Sequence, residues 1–161
     1  MTDYAILYDQ AEEMILTERH YVAALSNLSA LIFQAMEDIN WAGFYLMDRG
    51  SLLVGPFQGN PACIRIEIGR GVCGTAVQER KIQRVADVHK FPGHIACDAA
   101  SRSEIVLPIF SCNVIAGVLD IDSPLKDRFS PEDEEGLARL VQLIGEKVDF
   151  TGLRTLCPMD Y

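Results

Sequence analysis

Three cysteines, three carboxylates and one tryptophan supply most of what this chain could use for redox or acid–base chemistry. Cys63 lies in NPACIR, Cys73 in GRGVCGTA and Cys97 in HIACDAA, at intervals of 10 and 24 residues. A single cysteine is ordinarily a small buried hydrophobe. Three of them flanked by glycine, proline and polar residues leave packing, metal binding and thiol chemistry all open. Zinc-type spacing is missing: there is no CxxC pair, and HIAC is the one His/Cys pair at ligand spacing. No metal and no cofactor is therefore expected. Cys73 follows a glycine-rich turn and enters a predicted helix, where amide dipoles favour a thiolate. Cys97 has Asp98 beside it, and a carboxylate raises a thiol's pKa; His94 and Arg102 could offset that. Thiol chemistry alone does not rank the two.

The carboxylates are Glu104, in SEIV at the entrance to one predicted strand, and Asp120 and Asp122, in GVLDIDSP at the exit from the next. Side chains alternate along a strand, so Asp120 and Asp122 share a face. In a hairpin turned near Cys112, Glu104 falls roughly opposite them. A solvated strand end would explain such acids. So would a site for a cationic group, or a cluster close enough to share a proton and keep one acid neutral. Trp41, the only tryptophan, is either core or the wall of an apolar pocket. Of the histidines, His20 reads as a partly exposed polar residue in a helix; His89 and His94 lie in the irregular segment, and His94 alone is close enough to Cys97 to tune it.

These residues need a scaffold, and the periodicities supply one. Residues 4–16 read as a helix, and Thr17 is placed to cap a second one whose stripe is Tyr21, Leu25, Leu28, Ile32 and Ala35. NWAGFYLMD and SLLVGPF read as a hairpin turned at Arg49-Gly50. CIRIEI reads as a short strand and VCGTAVQER as a short helix, and residues 87–103 are irregular. EIVLPIF and NVIAGVLDID form a second hairpin turned at SCN. The last helix carries the clearest start signal, with Ser130 as N-cap, Pro131 next and Asp133 as capping-box partner. Terminal helices around antiparallel hairpins predict an α+β fold, a sheet covered by helices. Residues 1–150 form one domain and 151–161 a C-terminal tail holding Cys157.

Bulk properties narrow the partners. The 161 residues suit a single core, 49% are hydrophobic, and the formal net charge is −9. Nucleic acids and anionic membranes both require basic surfaces, so neither is an expected partner. The N-terminus lacks the basic start and apolar run of a signal peptide, and no apolar run approaches the roughly 18 residues of a membrane span. A cytoplasmic location is expected, where an odd number of cysteines, five, would not form a structural disulfide framework.

The stretches GPFQGNPAC, GRGVCGTA, VADVHKFPGHIACDAASRSEIV and GVLDIDSP together resemble the GAF-domain enzymes that reduce free methionine-(R)-sulfoxide. The likeness runs from about Trp41 to Pro124, with small departures at Asn60 and at residues 66–69. It implies a GAF domain with about six antiparallel strands. It also implies a catalytic cysteine at Cys97, a resolving cysteine at Cys63 and a third redox cysteine at Cys73, a ranking that thiol chemistry alone leaves open. Trp41, Glu104, Asp120 and Asp122 match the family's substrate residues, with Glu104 and Asp122 handling the proton at the sulfoxide oxygen. The implied partners are free methionine sulfoxide and a thioredoxin-type dithiol, and a homodimer is compatible. Two rival readings are a GAF sensor that binds an effector without turnover and a thiol switch that regulates a partner.

Overall fold

The structure is a computed structural model that describes residues 1–95 and 97–153. Cys157 and residues 154–161 of the expected tail lie outside the described residues. The elements are α1 (Tyr4–Thr17), α2 (Tyr21–Ala35), β1 (Trp41–Asp48), β2 (Ser51–Gly59), β3 (Arg65–Glu67), α3 (Gly71–Glu79), β4 (Gln83–Val85), β5 (Ser103–Ser111), β6 (Val114–Ser123) and α4 (Pro131–Lys147). The six strands form one antiparallel sheet in the order β3-β2-β1-β6-β5-β4. This is the α+β architecture expected, a sheet covered by helices. Among the described residues, no helix is long and apolar enough to cross a membrane.

Side-chain alternation gives the sheet two unlike faces. Ala42, Phe44, Leu46, Ile105, Leu107, Leu119 and Ile121 join the buried stripes of α1, α2 and α4 in the larger core, including Leu25, Leu28, Leu137 and Ile144. Trp41, Tyr45, Val106 and Val118 point the other way, into a smaller core closed by α3 and by loops. Helix α4 starts as its signals predict: Asp133 N donates to Ser130 Oγ, and Ser130 N donates to Asp133 Oδ2.

Three local expectations need correction. Thr17 does not cap α2; it ends α1, and its hydroxyl donates to Glu13 O. His20 is the cap instead, with Nδ1 accepting from Val22 N. Imidazole is an uncommon cap, which is why the threonine attracts the assignment. The strand in CIRIEI shrinks to Arg65–Glu67, so Cys63 stands in the loop before it. Between α3 and the irregular segment, Gln83–Val85 add a sixth strand, β4, paired to β5. Three residues are too few to show a period.

The β5–β6 hairpin fixes the site. It turns at Cys112-Asn113, both at positive φ (51° and 65°), as a tight two-residue hairpin turn demands. From that turn the register places Glu104 opposite Asp122 and Val106 opposite Asp120. Across the neighbouring ladder Trp41 is opposite Asp122 and Gly43 opposite Asp120. Residues directly opposite in adjacent strands share a face. Glu104, Asp122 and Trp41 therefore form one row across three strands, with Asp120 one row in.

Candidate active site

That row opens onto a cavity on the smaller-core face. Trp41, Tyr45, Cys73, Glu104, Asp120 and Asp122 line it from the sheet and from α3. Pro61, Ala62, His94, Cys97, Asp98 and Ser101 close it from two loops. The first loop, after β2, is forced by backbone chemistry. Gly59 has φ +129°, and a Cβ there would come within 2.6 Å of the Trp41 ring, so only glycine lets the chain turn beside the indole. Trp41 is then clamped: it stacks on Tyr45 and Phe57, with ring centroids 5.8 and 5.1 Å away, and Nε1 donates to Asn60 O. It is almost wholly buried and lines the cavity. Both sequence readings of this residue, core and pocket wall, describe it.

The second loop follows β4 and is tied at its ends. Asp87 caps a single 3-10 turn, Val88–Lys90. Val88 N donates to Arg102 O, and Arg102 N to Ser123 O, anchoring the loop to the end of β6. Within it Cys97 reaches Cys63: the two are joined in a disulfide with their Cα atoms 5.6 Å apart, inside the range such a bond requires. Tyr45 holds the partner loop in place, its hydroxyl donating to Cys63 O at 2.9 Å. Burial, with Asp120 and Cys73 adding to it, pushes the Tyr45 phenol far above its ordinary pKa, so it remains a donor at any working pH.

Asp98, next to Cys97, is occupied elsewhere. It accepts from the Ala100 amide, from Asn60 and from Asn40, which hold its carboxyl below the ordinary 3.8. It stays ionised at the cavity rim. His94 stands beside an acid of the cavity: its Nε2 lies 3.9 Å from Glu104 Oε2. Burial lowers its pKa, with His89 adding to the effect.

The acids at the cavity floor behave oppositely to Asp98. Burial, compounded by Asp120 and Asp122, pushes Glu104 well above 4.5. Burial pushes Asp120 from 3.8 to about 6, even though Cys73 and Glu104 donate to it. Asp122 is pushed up by burial and then by Asp120 and Asp98. Desolvated like charges this close cannot all ionise, so the trio holds protons near neutrality. The helix-start argument for Cys73 fails for the same reason. Its thiol is buried and lies 3.4 Å from Asp120 Oδ2 as donor. Burial and then Asp120 and Glu104 push it well above the ordinary value of 9.0.

The seven residues given a site role in the sequence thus gather at one cavity. Cys97, Cys73, Glu104, Asp120, Asp122 and Trp41 line it, and Cys63 is bonded to Cys97 from the adjoining loop. Tyr45, Arg70, Asp98 and Ser101 are also in the lining and were not singled out for a site role. Tyr45 sits at i+4 from Trp41 on the same strand face, a period-two signal that could have found it. Arg70 is the N-cap of α3 and makes no side-chain cap bond, and Gly71, Val72 and Cys73 of the first turn line the cavity.

Residues 22–149 match the GAF domain family. The chain is 55% identical to the free methionine-R-sulfoxide reductase of Escherichia coli over 145 residues, spanning 90% of this chain and 87% of that protein. Among solved structures it is similar to fRMsr of Staphylococcus aureus in the reduced form. The TM-score there is 0.90 and the identity 54%, over 92% of this chain and 97% of that one. The free methionine-R-sulfoxide reductase of Neisseria meningitidis in complex with its substrate matches with TM-score 0.88 and 39% identity, over 92% and 90% of the two chains.

Proposed function

The chain belongs to the GAF-domain family of free methionine-R-sulfoxide reductases, and on that premise we propose that it reduces free L-methionine-(R)-S-oxide to L-methionine with Cys97 as the attacking thiol. The observation that carries the reading is the joining of Cys97 and Cys63 beside a cavity floored by three acids, of which Glu104 and Asp122 are pushed furthest upward in pKa by burial.

In the first step the Cys97 thiolate attacks the sulfoxide sulfur while Glu104, with Asp122, protonates the oxygen. The oxygen passes to Cys97 Sγ as its bond to the substrate sulfur breaks, so methionine leaves and Cys97 is left as a sulfenic acid. The Cys63 thiol then attacks Cys97 Sγ, water departs and the disulfide forms. The balance is one sulfoxide and two thiols giving one thioether, one disulfide and one water. A thioredoxin-type dithiol restores both thiols by exchange. His94, half-buried beside Glu104, is placed to return its proton from solvent. Trp41 receives the substrate methyl group. The uncapped start of α3 suits an amino-acid carboxylate, since helix N-termini bind anions. Asp120, next to both Glu104 and Asp122, supports the shared protonation. A floor this enclosed favours a free amino acid over a methionine held in a chain.

The test is an assay of methionine formed from separate R and S epimers of free methionine sulfoxide with dithiothreitol as reductant. Turnover of the R epimer alone is expected. No turnover of the R epimer would sink the reading and leave a binding or redox-sensing module.

A further inference from the structure

While Cys63 and Cys97 are joined, Cys73 is the free thiol at the cavity. Its Sγ, one oxygen of Glu104 and one of Asp120 all lie within 4.8 Å of one another, on three buried residues. Asp120 supplies a further, independent observation. Its Oδ1 is buried with no hydrogen-bond partner among the described residues, although buried carboxylate oxygens are nearly always paired. A cation coordinated by this oxygen would offset the desolvation cost of leaving it bare.

The donor set selects the ligand. A thiolate is soft and disfavours magnesium or calcium, which want six or more oxygens. Zinc takes sulfur at about 2.3 Å and carboxylate oxygen at about 2.0–2.2 Å in a tetrahedron, which puts the two donor atoms about 3.6 Å apart. Cys73 Sγ and Asp120 Oδ2 are already 3.4 Å apart.

We propose that the disulfide form of this chain binds a zinc ion through Cys73, Glu104 and Asp120, with a fourth position open to the cavity. The ion takes the thiol as thiolate and the acids as carboxylates. It displaces the thiol proton and the proton the acids share, so two positive charges leave as two arrive. Zinc fills the floor the amino acid would occupy. It also removes Cys73 as a nucleophile that could attack the Cys63–Cys97 bond, so it holds the oxidised chain in that one pairing. The inference rests on the geometry of the trio and stands whether or not the chain turns over a sulfoxide.

The experiment uses the full chain, oxidised, with Cys112→Ser and Cys157→Ser so that Cys73 is the sole remaining thiol. The probe is Co²⁺, read by its thiolate charge-transfer band, then displaced by Zn²⁺. The expected result is one Co²⁺ per chain with that band, lost on adding one equivalent of Zn²⁺. Glu104→Gln and Asp120→Asn, which keep shape, should each weaken binding by more than the roughly 10–100-fold typical of losing a supporting contact. Absence of the band overturns the proposal. So does a band whose affinity is the same in the two amide variants, since Cys73 alone would then be the site.

Discussion

The same central strands carry both faces of the sheet, yet the faces are built to opposite rules. Toward α1, α2 and α4 the buried strand side chains are mainly apolar, from Ala42 and Phe44 to Leu119 and Ile121, with Ser103 and Ser123 as hydrogen-bonded polar residues at the strand ends. Toward α3 the alternate positions of those strands hold Trp41, Tyr45, Glu104, Asp120 and Asp122. A one-residue step along β6 moves from Ile121, packed in the helical core, to Asp122 at the cavity. The helical face supplies stability and the loop face spends some of it, because three desolvated acids and an orphaned oxygen oppose folding. That division explains how a fold can keep its core and hold a reactive site a few ångströms away.

Substitutions on the two faces should therefore separate activity from stability. The largest effect is expected at the cysteine. Cys97→Ser should abolish methionine formation even in a single turnover, and the melting temperature of the reduced protein should not move. On the opposite face Leu137→Ala, at a fully buried position, should lower stability by about 2–5 kcal/mol and leave the rate per folded molecule intact. A Leu137→Ala enzyme with a lowered single-turnover rate at a temperature where it is folded would break the separation.

The acids should show the reverse of a core mutation. Replacing Glu104 by Gln, or Asp122 by Asn, should slow the reductase step by about 10²–10⁴-fold, the usual contribution of a positioned proton donor. Neither should destabilise the fold near neutral pH, since each removes a carboxyl that burial has pushed up. Rapid-quench rates together with urea unfolding of the same samples measure both halves.

A smaller effect follows from proton linkage. An acid whose pKa is higher in the folded chain favours the fold at low pH. That contribution fades as pH rises through the folded value. For Asp120 the window runs from 3.8 to about 6, and Glu104 and Asp122 shift in the same direction. Asp120→Asn should thus gain stability relative to the parent as pH rises across that window, read from urea midpoints. A constant difference between the two would place Asp120 outside the buried acid cluster.

How much of this was legible in the residues varies by feature. The Asp120–Asp122 alternation and a hairpin turned near Cys112 already put three carboxylates in one region, because strand period and turn position determine the register. The helical core was equally readable from apolar spacing. The meeting of Cys63 with Cys97 was not. It depends on two loops without period, anchored by contacts such as Tyr45 Oη to Cys63 O and Arg102 N to Ser123 O, and only the family resemblance paired them. The acidity of Cys73 was misjudged for a related reason. A helix start is visible in sequence, whereas burial against Asp120, 47 residues away, is not. His20 as a cap and β4 as a strand were missed because their local signals are weak.

The proposal that Cys97 takes the oxygen and Cys63 resolves it is decided by trapping a single turnover. Fully reduced protein is mixed with excess free methionine-(R)-sulfoxide and no reductant, then quenched and alkylated. Methionine per chain is counted and the disulfide is mapped, beside a Cys63→Ser sample. The account predicts one methionine per chain with Cys63–Cys97 as the first bond formed, and in Cys63→Ser one methionine with a dimedone-reactive sulfenic acid on Cys97. Sulfenic acid on Cys73, or undiminished methionine formation by Cys97→Ser, would contradict it.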